Sequence, residues 1–185
     1  MSYTRLYRRH DDGTLEFREA WHDAEAAQFV VNHGTVGHQS STEETDDVDA
    51  ATAEGLMAAF EEQCAQDGYG ALGDDDLWRV VAQFALKTAN GTDRDRFLER
   101  QASDALAAHL AWRGLGTVDG SSIDGGKLNI MMTCVDAGKA VAAVKTCLRE
   151  ATSDFTKLSI GVAPATDPEA FKLRHGAAGA RGFSL

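Results

Sequence analysis

The stretch Asp119-Gly120-Ser121-Ser122-Ile123-Asp124-Gly125-Gly126 puts two carboxylates and two hydroxyls in a Gly-rich segment able to hold a cation or a small polar ligand. It has neither the oxygen spacing of a calcium loop nor the Gly-x-Ser-x-Gly of a nucleophile elbow. A surface hairpin loop is expected, with Asp119, Ser121, Ser122 and Asp124 as a secondary candidate site and the one foothold for a hydrolase. His33 and His38 bracket the turn Gly34–Gly37, and Glu43, Glu44, Asp46 and Asp47 follow. Imidazole and carboxylate ligands suit a transition metal, but this spacing fits no common site, and no metal is expected. Gly68-Tyr69-Gly70-Ala71-Leu72-Gly73 spells Gly-x-Gly-x-x-Gly. A dinucleotide site would need a strand before it and a helix start behind it; here a helical pattern precedes it, and Asp74, Asp75 and Asp76 stand where pyrophosphate charge would rest. His10, His22, His109 and His175 are dispersed. With no nucleophile beside a base, the chain reads as a binding protein rather than an enzyme, with no cofactor.

Charge narrows the partners. The 185 residues carry a net charge of −11, and residues 1–92 hold 6 Lys and Arg against 18 Asp and Glu while residues 93–185 hold 12 against 11. The acidity therefore belongs to the first half, whose field repels phosphate backbones and attracts basic partners. The stretch Glu43 to Glu54 is both a dipole-matched helix entry and a candidate docking surface. No apolar run is long enough to span a bilayer, and the Arg-bearing start Tyr3 to Arg9 lacks the apolar stretch of an export signal. Cys64, Cys134 and Cys147 are too scattered for a disulfide framework and read as buried thiols, so a cytoplasmic location is expected.

The elements that must position these residues fall into two units, 1–90 and 91–185, separated at Thr88-Ala89-Asn90-Gly91-Thr92-Asp93, where Asn-Gly stops one element and Thr92 with Asp95 has capping-box spacing. In the first unit Leu15, Phe17 and Trp21 alternate with Glu16, Arg18 and Ala20, a half-buried strand whose face Glu19 interrupts. With Tyr3–Arg9 and Gln28–Asn32 it predicts a three-stranded antiparallel meander. Ala53, Leu56, Met57, Phe60 and Cys64 predict a helix behind Asp46, Asp47 and Asp49. Leu77, Val81 and Phe84 predict a second, appended helix from Asp74 to about Leu86. In the second unit Leu98, Ala102, Leu106 and Leu110 mark a helix from Asp93 to Arg113. A short strand is expected at Thr117–Val118 and another over Lys127–Cys134. Asp136 caps a helix carrying Ala140, Val144, Cys147 and Leu148, and Leu158, Ile160 and Val162 mark a last strand. The fold class is α+β, the second unit being an α-β-β-α-β sandwich of ferredoxin-like kind with a Gly/Ala-rich tail after His175.

The order of Arg5-Leu6, Phe17-Arg18-Glu19-Ala20-Trp21, His33-Gly34-Thr35-Val36-Gly37 and Phe60 to Asp67-Gly68-Tyr69 resembles the WGR domain, over roughly residues 3–70. That family is found beside poly(ADP-ribose) polymerase domains and in bacterial proteins. Its signature is Trp-Gly-Arg followed by an apolar residue and Gly; here His33 replaces the Trp and Thr35 the Arg, while Gly34, Val36 and Gly37 agree. In the polymerases the Trp and Arg help engage DNA ends, so the resemblance implies a binding surface at Arg5, Arg18, Trp21, His33, Gly34 and Thr35. The substitutions remove the cation a phosphate would want.

Two functions follow as expectations. The first is non-catalytic engagement of a basic protein partner by the acidic WGR-like unit. The second is DNA-end binding by the sheet face expected to carry Arg5, Arg18, His33 and Thr35. A hydrolase working from the Asp119–Gly126 loop ranks third, and no membrane partner is expected.

Overall fold

The computed structural model describes residues 3–152, 154–176 and 182–185; most of the Gly/Ala-rich tail, residues 177–181, lies outside the described residues. The chain is α+β, with two antiparallel sheets and three α-helices among the described residues. It divides into one unit of Met1–Leu72 with Trp112–Gly114, and a second of Gly73–Ala111 with Leu115–Leu185. The division thus falls at Leu72–Gly73 and not at the turn before Asp93.

The first unit is a four-stranded meander in the order β1 (Tyr3–Arg9), β2 (Leu15–Asp23), β3 (Gln28–Thr35) and β4 (Ser41–Thr45). Its first turn works as the residue types dictate: Asp12 accepts from the Thr14 amide at 2.8 Å, and Gly13 takes φ +83°. The fourth strand, Ser-Thr-Glu-Glu-Thr, is absent from the sequence reading because no apolar alternation marks it; its backbone pairs with β3 from Phe29↔Thr45 to His33↔Ser41. Helix α1 (Ala50–Gln66) starts where Asp49 accepts from the Thr52 amide, and buries Ala53, Met57 and Cys64. It covers one sheet face, packing Ala53, Leu56, Met57 and Phe60 against Ala20, Phe29 and Val31. On the other face the buried Glu19 that interrupts the apolar pattern is satisfied. It accepts from Tyr3 Oη at 2.7 Å, Arg5 Nε at 2.5 Å and Asn32 Nδ2 at 2.6 Å.

The residues expected to form a second helix, Asp74 to Leu86, do not. Asp74–Asp76 make one 3-10 turn, and Trp78–Ala85 form strand β5, the centre of the second sheet. The apolar spacing of Leu77, Val81 and Phe84 fits a helix, but Trp78, Val80, Ala82 and Phe84 also alternate with Arg79, Val81, Gln83 and Ala85 at the period of a strand, and of the second set only Val81 is buried. Val80, Val81, Ala82 and Phe84 are all buried.

With β5 included, the second unit runs β5, α2 (Asp93–Ala111), β6 (Gly116–Asp124), β7 (Lys127–Cys134), α3 (Ala137–Ala151), β8 (Leu158–Pro164) and β9 (Lys172–His175), in the sheet order β6-β7-β5-β8-β9. The first four of its strands have the β-α-β-β-α-β connectivity of a ferredoxin-like sandwich, with β9 added at the edge. Local signals set the helices. Thr92 N–H donates to Asp95 at 2.8 Å and Asp95 N–H back to Thr92 at 3.4 Å, a reciprocal cap on α2, and Asp136 accepts from Lys139 at 2.8 Å on α3. Leu98, Ala102, Leu106 and Leu110 from α2 are buried with Ala140, Val144, Cys147 and Leu148 from α3, completing a core with Leu128, Ile130, Met132, Ile160 and Val162. On the opposite sheet face, Phe183 lies so close to Gly161 that a Cβ there would stand 2.3 Å from its ring. Among the described residues no helix is long and apolar enough to cross a membrane.

Candidate functional site

The register of the first sheet decides which expected binding residues meet. Leu6 pairs with Arg18 and Arg18 with His33, whereas Arg5 pairs with Glu19 and Glu19 with Asn32. Since neighbours along a strand point to opposite faces, Arg18, His33 and Thr35 share the α1 face, and Arg5 and Trp21 lie on the other. The single face expected to carry Arg5, Arg18, His33 and Thr35 together does not exist. Arg5 is half of a buried ion pair with Glu19, its side chain 10% exposed, and Trp21 is half-buried opposite Tyr3.

On the α1 face two concavities share Arg18 and His33. One, about 270 Å³, is lined by Arg8, Glu16, Phe17, Arg18, His33, Gly34, Thr35 and Tyr69. The other, about 310 Å³, is lined by Arg18, Val31, His33, Glu43, Phe60, Gln63 and Cys64. Thus Arg18, His33, Gly34 and Thr35 do come together, joined by Arg8, Glu16 and Tyr69. Period-two alternation places Glu16 beside Arg18 in sequence; only pairing of β1 and the return of the chain after α1 add Arg8 and Tyr69.

Tyr69 organises the polar wall. The Arg18 and Arg8 guanidinium carbons stand 4.4 and 4.8 Å from its ring centroid, and its hydroxyl donates to Glu16 Oε2 at 2.9 Å. Burial, then this hydrogen bond, pushes the phenol above its ordinary range. Glu16 also receives Arg8 at 2.7 Å and lies 3.0 Å from His10 Nε2. Its carboxyl is pulled down to about 2 by the His10 contact, with partial burial opposing and Arg8 and Tyr69 reinforcing. Arg18 meets Asp67 at 2.5 Å and holds that carboxyl below the usual range. Each of these guanidinium groups thus has its counter-ion inside the protein. The opposite rim is acidic: Glu43 is 78% exposed and 3.5 Å from His33, and Glu44, Asp46 and Asp47 beyond it are exposed.

No family model, no curated protein and no solved structure matches the chain.

The other sequence-derived candidates are distributed differently. Asp119–Asp124 is not a loop but the second half of β6, with a bulge between Val118 and Gly120 and the turn confined to Gly125 and Gly126. Glycine and serine mask its strand character, and the alternation separates the hydroxyls. Ser121 donates to Glu99 of α2 at 2.7 Å, while Ser122 accepts from Asn129 at 3.5 Å and Asp124 pairs in register with Lys127. Asp119 joins Arg79 at 3.1 Å and the Thr133 hydroxyl at 2.7 Å. The four therefore line no common hollow. The Gly68–Gly73 segment follows α1 and leads into the 3-10 turn, with Gly70 bridged to Tyr7, so it opens no helix at which pyrophosphate could sit. Among the described residues no group of three or more His, Cys, Asp or Glu side chains is placed to hold a metal ion.

Proposed function

We propose that the protein is a non-catalytic binding protein whose WGR-like first unit engages a basic protein partner along its acidic β4 rim. One observation carries this reading: Arg5, Arg8 and Arg18 are each paired to a carboxylate, whereas Glu43, Glu44, Asp46 and Asp47 face solvent. A polyanion arriving at this unit would have to displace internal carboxylates to reach those arginines; a basic surface meets charges already hydrated and oriented outward. The test is capture by an immobilised Lys/Arg-rich peptide at rising salt. Binding that weakens with ionic strength and is lost on reversing Glu43 and Glu44 to Lys supports the reading; binding indifferent to both refutes it.

A DNA-end role is the second reading. In its favour, the positions of the family signature, His33 to Thr35, share one hollow with Arg8, Arg18 and the aromatic Tyr69. It requires blunt or nicked duplexes to bind more tightly than about micromolar at ~150 mM salt.

A further inference from the structure

The second unit holds a cluster of opposite character. Lys145 and Arg149 lie one turn apart on α3, beside the buried stripe of Val144 and Leu148. The Arg149 guanidinium stands 5.0 Å from the ring centroid of Phe155, and Phe155 in turn lies 5.5 Å from the imidazole of His175 on β9. His175 pairs in register with Ile160, whose side chain belongs to the helix-side core, so it projects toward α3. Two nitrogen-bearing groups therefore flank one aromatic ring at the corner of α3 and β9, and Lys145 stands one helical turn before Arg149 on the same side of α3.

The neighbouring charges do not neutralise them. Asp154, next to Phe155, is saturated by Lys157 at 2.6 Å and Arg94 at 2.8 Å. Glu150 follows Arg149 by one residue, on a different side of the helix. Among the described residues no carboxylate forms an ion pair with Lys145 or Arg149, in a chain whose net charge is −11. Burial first, then Lys145 and Arg149, hold the His175 imidazole below its ordinary range, which keeps it neutral and able to donate one N–H near pH 7.

We propose that Arg149 and His175, which flank Phe155, together with Lys145 one turn along α3, form a binding site for a phosphate monoester or free phosphate. A dianion with three acceptor oxygens matches an ammonium, a planar guanidinium and an imidazole N–H, and it supplies the counter-charge that no described residue gives Lys145 and Arg149 as an ion pair. The site is independent of the acidic rim of the first unit and stands or falls separately from it.

The experiment follows the His175 ring signals of the full chain by NMR, titrating inorganic phosphate, then a sugar monophosphate, each against sodium chloride of equal ionic strength. Phosphate is expected to shift the His175 signals saturably and to raise its titration midpoint, because an anion offsets Lys145 and Arg149. Stronger binding of the sugar monophosphate assigns the site to an ester; equal binding assigns it to the free ion. Arg149→Ala should weaken phosphate binding by roughly tenfold or more, the loss of one charged hydrogen-bonding group, with Lys145→Ala acting in the same direction. Both residues are at least partly exposed, so signals away from the corner report whether each variant is folded. No saturable change beyond the chloride control, or a change that survives in both variants, overturns the proposal.

Discussion

The Arg18 guanidinium faces Asp67 at 2.5 Å and lies over the ring of Tyr69 at 4.4 Å, so the most prominent cation of the candidate site is held from two directions by its own protein. Removing it tests whether its role is internal. Arg18→Ala is expected to lower stability by about 1–2 kcal/mol, a partly screened ion pair plus a cation–π contact. Arg18→Lys should recover only part of this, since an ammonium lacks the planar group that stacks on Tyr69. Chemical denaturation of the three proteins measures it, and an unchanged midpoint for Arg18→Ala would show the pairing to be incidental.

Acid should loosen the same wall. The folded-state pKa of Glu16, about 2, lies below the ordinary 4.5, so its contribution to stability is fully present above about 4.5 and is lost as pH falls toward 2. The stability difference between the wild type and Glu16→Gln should therefore be constant near neutrality and shrink across that window. A difference that grows on acidification would reverse the sign of the linkage.

Helix starts and helix cores were legible because their signals are local: Thr92 with Asp95 and Asp136 cap where their spacing says they should, and Leu98, Ala102, Leu106 and Leu110 are buried, while of the three acidic residues before α1 it is Asp49 that caps. Strands depended on partners that the sequence does not display. Ser41–Thr45 has no apolar face and exists as a strand because β3 offers it an edge. The apolar residues of Leu77–Ala85 fit a helical period and a period of two alike, and the strand's centrality follows from pairing with both β7 and β8. The candidate site was half visible for the same reason. Arg18, His33 and Thr35 are separated by even steps of register, but the opposite orientation of Arg5 appears only once Leu6 is set against Arg18.

Packing against one glycine should prove stringent. Gly114 takes φ +57°, and a Cβ added there would stand 2.2 Å from the Phe17 ring, in the same unit. Gly114→Ala should cost roughly 1–3 kcal/mol through backbone strain and overpacking, a loss readable in the thermal midpoint. The fully buried Phe17 has little room to yield, and an unaffected midpoint would mean that the two do not meet.

The segment Gly182–Leu185 should be anchored to the second sheet. Phe183 sits on Gly161 and near Phe171 at 5.5 Å, while Lys127 and Gln83 donate to the Ser184 carbonyl at 2.8 and 2.9 Å. Phe183→Ala is expected to lose about 1–2 kcal/mol of apolar burial and to speed hydrogen exchange at Ser184 and Leu185. Gly161→Val should have the same effect by evicting the ring. Exchange unchanged in both variants would contradict the contact.

Thiol chemistry offers an independent probe of the second core. Burial, with a small contribution from Asp119, pushes the Cys134 thiol up to about 12, and the side chain is inaccessible. Near pH 8 it should resist a disulfide reagent in the native protein and react once the chain is unfolded; rapid native labelling at Cys134 would mean that β7 opens readily.

The most direct measurement is a paired fluorescence-anisotropy titration of the full chain with a labelled Lys/Arg-rich peptide and a labelled nicked duplex at ~150 mM salt. Saturable peptide binding that weakens with salt and is abolished in Glu43→Lys/Glu44→Lys, beside a duplex that fails to bind at micromolar protein, is the predicted result. Tight binding of the duplex, with the peptide left free, would contradict it.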